Sequence, residues 1–172
     1  GDEDDYFQSG LFTIARRRIL WLLILVLANG LTTKVIAMND QILKEIVLLA
    51  AFIPLLIGTG GNVGAQSSTV VIRGLSTQKL KSMGAFKVVV KEAITGALLG
   101  ILMMLVVFPF AWWQGEGPLI ASAVGISLIS ITTLAATAGA ILPLLFERMG
   151  LDPALMSSPF ITTVTDIAGV FI

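Results

Sequence analysis

The 172 residues contain no cysteine and no histidine. The first absence excludes a disulfide framework and any thiolate metal site, and it leaves the redox compartment unreadable from cysteine usage. The second removes imidazole metal ligands, Ser/His/Asp and Cys/His catalysis and a histidine proton relay. Charge is scarce as well: Asp, Glu, Lys and Arg make up 13% of the chain, where a soluble domain carries about 25%. Hydrophobic residues make up 56%, the composition of an integral membrane protein. Eleven basic and eleven acidic residues cancel, but in a membrane chain the location of charge says more than its sum. A basic region, a short apolar core and a small-residue cleavage site are also missing from the start, so Gly1 to Gln8 is no signal peptide. This acidic, polar stretch reads as a linker from a soluble part outside the sequence.

Apolar runs of membrane length dominate what is present. Arg16, Arg17 and Arg18 precede a first run, Ile19 to Met38, close to the ~20 residues that cross ~30 Å of hydrocarbon. Lys34 near its end reads either as a buried functional charge or as a side chain snorkelling to the interface. A second run starts at Ile42 and enters the glycine-rich stretch Pro54 to Gln66, beyond which the helix is expected to continue, bent or interrupted, as far as Arg73. Ser76 to Lys91 carries Lys79, Lys81, Lys87 and Lys91 between apolar residues, like an amphipathic segment on an anionic leaflet. No aromatic interleaving accompanies this basic patch, so nucleic acid is not the expected partner. A third run, Ala93 to Trp113, has Gly96 and Gly100 at GxxxG spacing; a fourth, Leu119 to Phe146, is dotted with Ser and Thr. Asp152-Pro153 opens a fifth with an N-cap residue and a proline at the first helical position.

The expected fold class is therefore an all-α membrane protein with five transmembrane helices per subunit. Residues 1–18 are expected to be a cytoplasmic linker remnant and 19–172 a five-helix transmembrane domain. Nine of the eleven Lys and Arg fall in the N-terminal tail and the links after the second and fourth runs, while Lys34 and Lys44 lie on the other side. The positive-inside rule then places the N-terminus in the cytoplasm and the C-terminus outside, across the lipid bilayer of the cell (inner) membrane.

Pro54 to Gln66 holds four glycines, an asparagine and a glutamine where a membrane helix would be expected to stay apolar. Irregular or glycine-rich backbone at membrane depth is tolerated only against protein or beside a water-filled cavity. Two readings follow: Gly60 and Gly64 let two helices approach closely, or the stretch walls a pathway, as the added Pro54, Asn62 and Gln66 suggest. Soluble-protein readings fail. Val63 stands where a dinucleotide fingerprint needs its third glycine, and no Gly-Lys-Ser/Thr tripeptide exists for a P-loop.

Asp166 is the sharpest single residue. It lies among Val164, Ile167, Ala168, Val170 and Phe171, about 20 Å along its helix from Asp152. A carboxylate at that depth is costly and by default marks an ion or proton path. Thr165, Thr162, Ser158 and Gly169 are expected to join it in one polar stripe, and Pro159 frees a carbonyl one turn earlier. Such a stripe offers only oxygen, the ligand of the hard cations magnesium and calcium. The structural alternative is an ion pair with Lys34, Arg73, Lys87 or Lys91, all placed at interfaces, or a protonated buried acid.

Pro54 to Gln66, continuing as Ser67-Ser68-Thr69-Val70-Val71-Ile72-Arg73-Gly74-Leu75-Ser76-Thr77, resembles the signature of the MgtE family of magnesium channels, as does Leu151-Asp152-Pro153-Ala154-Leu155 followed by Ser158-Pro159 and Thr165-Asp166. The resemblance covers nearly the whole chain. It implies a homodimer with the pore on the two-fold axis, lined by the second and fifth helices. It implies that Asp166 of both subunits faces a largely hydrated Mg2+, with backbone carbonyls of Ser158, Thr162, Gly58 and Gly61 around it and Asn62 close by. Ser158 and Thr162 depart from the asparagine and small apolar residue often seen in such proteins; a backbone carbonyl role survives that change. The resemblance also implies a cytoplasmic regulatory region with a CBS-domain pair, not present in these residues, so gating by intracellular magnesium is expected to be lost or weakened. A proton- or sodium-coupled secondary transporter shares the midplane carboxylate and broken helix. A non-transporting membrane subunit would use the same polar residues only to join helices.

Overall fold

The computed structural model describes residues 11–38, 47–77, 84–114 and 117–172. Five helices account for nearly all of them: α1 (Leu11–Met38), α2 (Val47–Ser76), α3 (Ala85–Trp113), α4 (Gly117–Arg148) and α5 (Pro153–Phe171). Three of these, α2, α3 and α4, are long and apolar enough to cross a membrane, while α1 and α5 hold the shorter apolar runs Leu22–Val35 and Phe160–Phe171.

α4 is the axis of the bundle. Ala121, Val124, Gly125, Leu128, Ile131, Thr132, Ala135, Ala136 and Ala140 recur at three- and four-residue steps and are all buried, so small residues surround the helix and three neighbours reach it closely. α3 packs along it most extensively, then α2, then α5; α1 rests mainly on α5. Lipid tails are as apolar as Leu, so this association depends on close packing rather than on removal of apolar surface from water. The GxxxG pair of α3 supplies that closeness. A Cβ on Gly96 would sit 2.5 Å from the Thr132 carbonyl oxygen and 2.6 Å from Ala136 Cβ. Away from α4, Leu98, Leu102, Leu105 and Val106 of α3 stand exposed, the arrangement expected of a lipid-facing side.

Several expected boundaries shift. α3 starts at Ala85 rather than Ala93, so Lys87 and Lys91 belong to its first two turns instead of a separate surface segment; Lys79 and Lys81 lie outside the described residues. α1 starts at Leu11, which puts residues 11–18 of the expected linker into the helix, while residues 1–10 lie outside the described residues. α2 runs unbroken through the glycine-rich stretch, with Pro54 inside it. Membrane helices tolerate such residues where neighbours pack against the backbone, and Gly60 and Gly64 meet that condition. α5 opens as expected: Asp152 accepts a hydrogen bond from the Ala154 amide at 2.9 Å through Oδ1, with Pro153 at the first turn.

Candidate ion-pathway seam between α2 and α5

α2 and α5 run antiparallel, and their contacts step in opposite directions along the two chains. A Cβ on Gly64 would lie 2.6 Å from Ile161 Cγ2, one on Gly60 would lie 3.5 Å from Thr165 Cβ and 2.7 Å from Ile131 Cγ1 of α4, and one on Gly169 would lie 2.8 Å from Ile57 Cγ1. These three glycines exist to let helices touch. Gly58 and Gly61 behave differently: a Cβ on Gly58 would meet nothing within 4 Å, and one on Gly61 only Thr165 Oγ1 at 3.9 Å. The glycine-rich stretch thus divides by face. Gly60 and Gly64 follow the packing reading, and Gly58, Gly61 and the exposed Asn62 turn to the open side.

The stripe on α5 divides in the same way, which corrects the expectation of one polar face. Thr165 is buried against α2 and α4, and its hydroxyl donates to the carbonyls of Ile161 and Thr162, both at 3.0 Å. Gly169 is buried against Ile57. Thr162 is exposed and Asp166, four residues on, is partly exposed, so these two share the outer side of α5. Ser158 lies one turn before Thr162 in the same helix, and its side chain is outside the described residues. Among the described residues Asp166 makes no hydrogen bond or ion pair. None of Lys34, Arg73, Lys87 and Lys91 pairs with it, and the ion-pair reading loses its support.

Below Asp166, towards the start of α5, a groove of about 190 Å³ opens between the helices, lined by Gly61, Ala65, Ser68, Thr69 and Ile72 of α2 and by Ala154, Ser157, Ile161 and Thr162 of α5. Gly61 and Thr162, expected together from the sequence, meet here. Gly58, Asn62 and Asp166 do not line the groove; they lie at or beyond its upper end. Sequence reading missed the groove's hydroxyl wall. Stepping four residues at a time from Gly61 reaches Ala65 and Thr69, which was the available signal. Ser157, one residue before the expected Ser158, is buried, and its hydroxyl donates to the Pro153 carbonyl at 2.7 Å. Thr69 likewise donates to its own helix, to Ala65 at 2.8 Å. The hydroxyls of Ser157 and Thr69 are thus satisfied within their own helices.

A helical bundle with three membrane-length spans, a carboxylate that has no partner among the described residues and a groove walled partly by hydroxyls between two helices define the class: a multi-pass membrane domain. The family model for the MgtE divalent cation transporters matches residues 53–172, and the chain belongs to that family. It is 37% identical over 167 residues to the magnesium transporter MgtE of Thermus thermophilus, covering 97% of this chain and 37% of that protein. It is 35% identical over 162 residues to the namesake from Enterococcus faecalis, covering 92% and 35%, and 32% identical over 171 residues to that of Bacillus subtilis, covering 99% and 38%. The chain thus spans a little over a third of the length of these curated relatives.

Proposed function

We propose that this chain forms the pore of a magnesium-selective channel, a homodimer whose two copies face each other across the α2/α5 seam, moving Mg2+ into the cytoplasm. The observation that carries the reading is the outward side of the seam. Gly58, Asn62 and Thr162 are exposed there and Gly61 and Asp166 partly so, and among the described residues Asp166 has no counter-charge. A second copy placed there brings two carboxylates together. Two facing carboxylates repel, and a divalent cation between them relieves that repulsion. Magnesium dehydrates reluctantly and keeps several waters, which suits a pair of carboxylates and backbone carbonyls of Gly58, Gly61, Ser158 and Thr162 set apart by a hydrated ion. All five helices cross in this reading, with the basic ends of α2 and α4 (Arg73 and Arg148) on the cytoplasmic side and the end of α5 outside. The magnesium transporters of three bacteria at 32–37% identity support the choice of ion.

Magnesium uptake into proteoliposomes under an imposed membrane potential, with no proton gradient, tests the reading. Potential-driven uptake that disappears in Asp166→Ala is expected. Uptake only in the presence of a proton or sodium gradient would replace the channel by a coupled transporter, and equal uptake in both proteins would move the ion site off Asp166.

A further inference from the structure

A second carboxylate lies within the bundle, away from the seam. Glu92 of α3 is partly buried, and its Oε2 accepts a hydrogen bond from the hydroxyl of Ser67 on α2 at 2.7 Å. Ser67 is 4% exposed. Its Cβ lies 3.1 Å from where a Cβ on Gly139 of α4 would be, so the absence of a side chain there makes room for the pair. α2 and α3 otherwise barely touch: one turn further along, Val71 of α2 and Val88 of α3 meet Ala140 of α4 in a small apolar cluster. Val88 and Glu92 are one turn apart on α3, and Val71 and Ser67 one turn apart on α2. The polar pair therefore belongs to the same antiparallel ridge as the apolar one.

A carboxylate inside a membrane bundle is costly, and a leucine in its place would satisfy packing alone. What the hydrogen bond adds is register, the best-attested use of a buried polar contact. We propose that Glu92 is a positioning residue for the ion pathway, fixing through Ser67 the rotation of the second half of α2. Ala65, Ser68 and Thr69, which flank Ser67, line the groove below Asp166. Rotation of α2 by a fraction of a turn about its axis would carry Ser68 and Thr69 along the groove wall. Gly60 and Gly64 pin α2 nearer its middle, so the consequence of losing the bond falls on the groove rather than on the level of Asp166. The inference rests on the proposed pathway for its transport consequence, though not for its geometry.

The test uses the whole chain in proteoliposomes with two readouts. Magnesium uptake should fall about tenfold in maximal rate in Glu92→Ala, as expected of coupled neighbours, with the half-saturating concentration within about twofold of native. Glu92→Gln, which keeps an acceptor oxygen, should restore uptake. Ser67→Ala should match Glu92→Ala, and the double variant should be no worse than either. The second readout needs no transport. Because the chain lacks cysteine, Ala65→Cys gives a single thiol in the groove, and its labelling rate by a charged, water-soluble thiol reagent should change severalfold on adding Glu92→Ala but not Glu92→Gln. Changed labelling in a protein without uptake would sink the channel reading and keep the inference. Unchanged labelling in Glu92→Ala and Ser67→Ala, losses that multiply in the double variant, or a Glu92→Gln variant as impaired as Glu92→Ala would each overturn it. If Glu92→Ala does not reconstitute, Ser67→Ala decides by the same criteria.

Discussion

The glycines of α2 make a contrast that separates packing from function within two turns. Gly64→Ala places a Cβ 2.6 Å from Ile161 Cγ2 and 3.3 Å from the Ala135 carbonyl oxygen, where carbon pairs prefer about 3.5–4.0 Å. Either Ile161 leaves its rotamer or α5 retreats by about 1 Å, and overpacking of this kind costs about 1–3 kcal/mol. Gly58→Ala meets nothing within 4 Å. Both changes carry the same gain in helix propensity, about 1 kcal/mol, which cancels in the comparison. Gly58→Ala should therefore exceed Gly64→Ala in stability by about 1–3 kcal/mol, or about 2–12 °C in midpoint for a chain of this size. Loss of the monodisperse peak after heating in detergent reads this difference, provided heating times match, since membrane proteins unfold irreversibly. Uptake should divide the other way: Gly58→Ala keeps its stability and loses flux, because the methyl points into the open side of the seam. A Gly58→Ala protein that melts as low as Gly64→Ala, or one that conducts normally, would refute the division of this helix into a packed face and a pathway face.

Other outcomes follow from the same geometry. Gly96→Ala should destabilise at least as much as Gly64→Ala, because the obstacle is the Thr132 backbone carbonyl at 2.5 Å rather than a movable side chain; the same heating assay checks it. Thr165→Val should leave uptake and divalent selectivity native, since the Thr165 hydroxyl is turned inward to Ile161 and Thr162, whereas Asp166→Asn, which removes one charge per subunit, should abolish uptake of magnesium in the same proteoliposomes. Asp152→Ala should cost about 1 kcal/mol by removing the N-cap contact to Ala154, and Asp152→Asn should restore it, again read as a thermal midpoint.

The helical architecture was legible in the sequence because hydrocarbon allows few solutions. Five helices, the Asp152-Pro153 start and the Gly96/Gly100 spacing all appear in the structure, although only α2, α3 and α4 are long and apolar enough to cross a membrane. Boundaries at the basic segments were not legible: Lys87 and Lys91 look like surface residues by charge, yet α3 begins before them because an i, i+4 lysine ridge costs a helix little when it faces outward. The candidate site was half legible. Asp166 stands out from its apolar neighbours in any reading. The split between Gly60 and Gly61, or between Thr165 and Thr162, depends on how α2 and α5 are rotated against α4, and that is set by contacts between helices far apart in sequence. Glu92 was missed for the same reason: beside Lys91 it looks like part of a solvated charge cluster, and only the antiparallel ridge shared with α2 turns it inward to Ser67.

Electrical recording with magnesium as the only permeant cation tests the central claim most directly. A magnesium-selective pore predicts a current that vanishes in Asp166→Ala and whose reversal potential moves by about 30 mV per tenfold change in the magnesium gradient and does not follow a proton gradient. A reversal potential that follows the proton or sodium gradient, or a current that survives loss of Asp166, would contradict it.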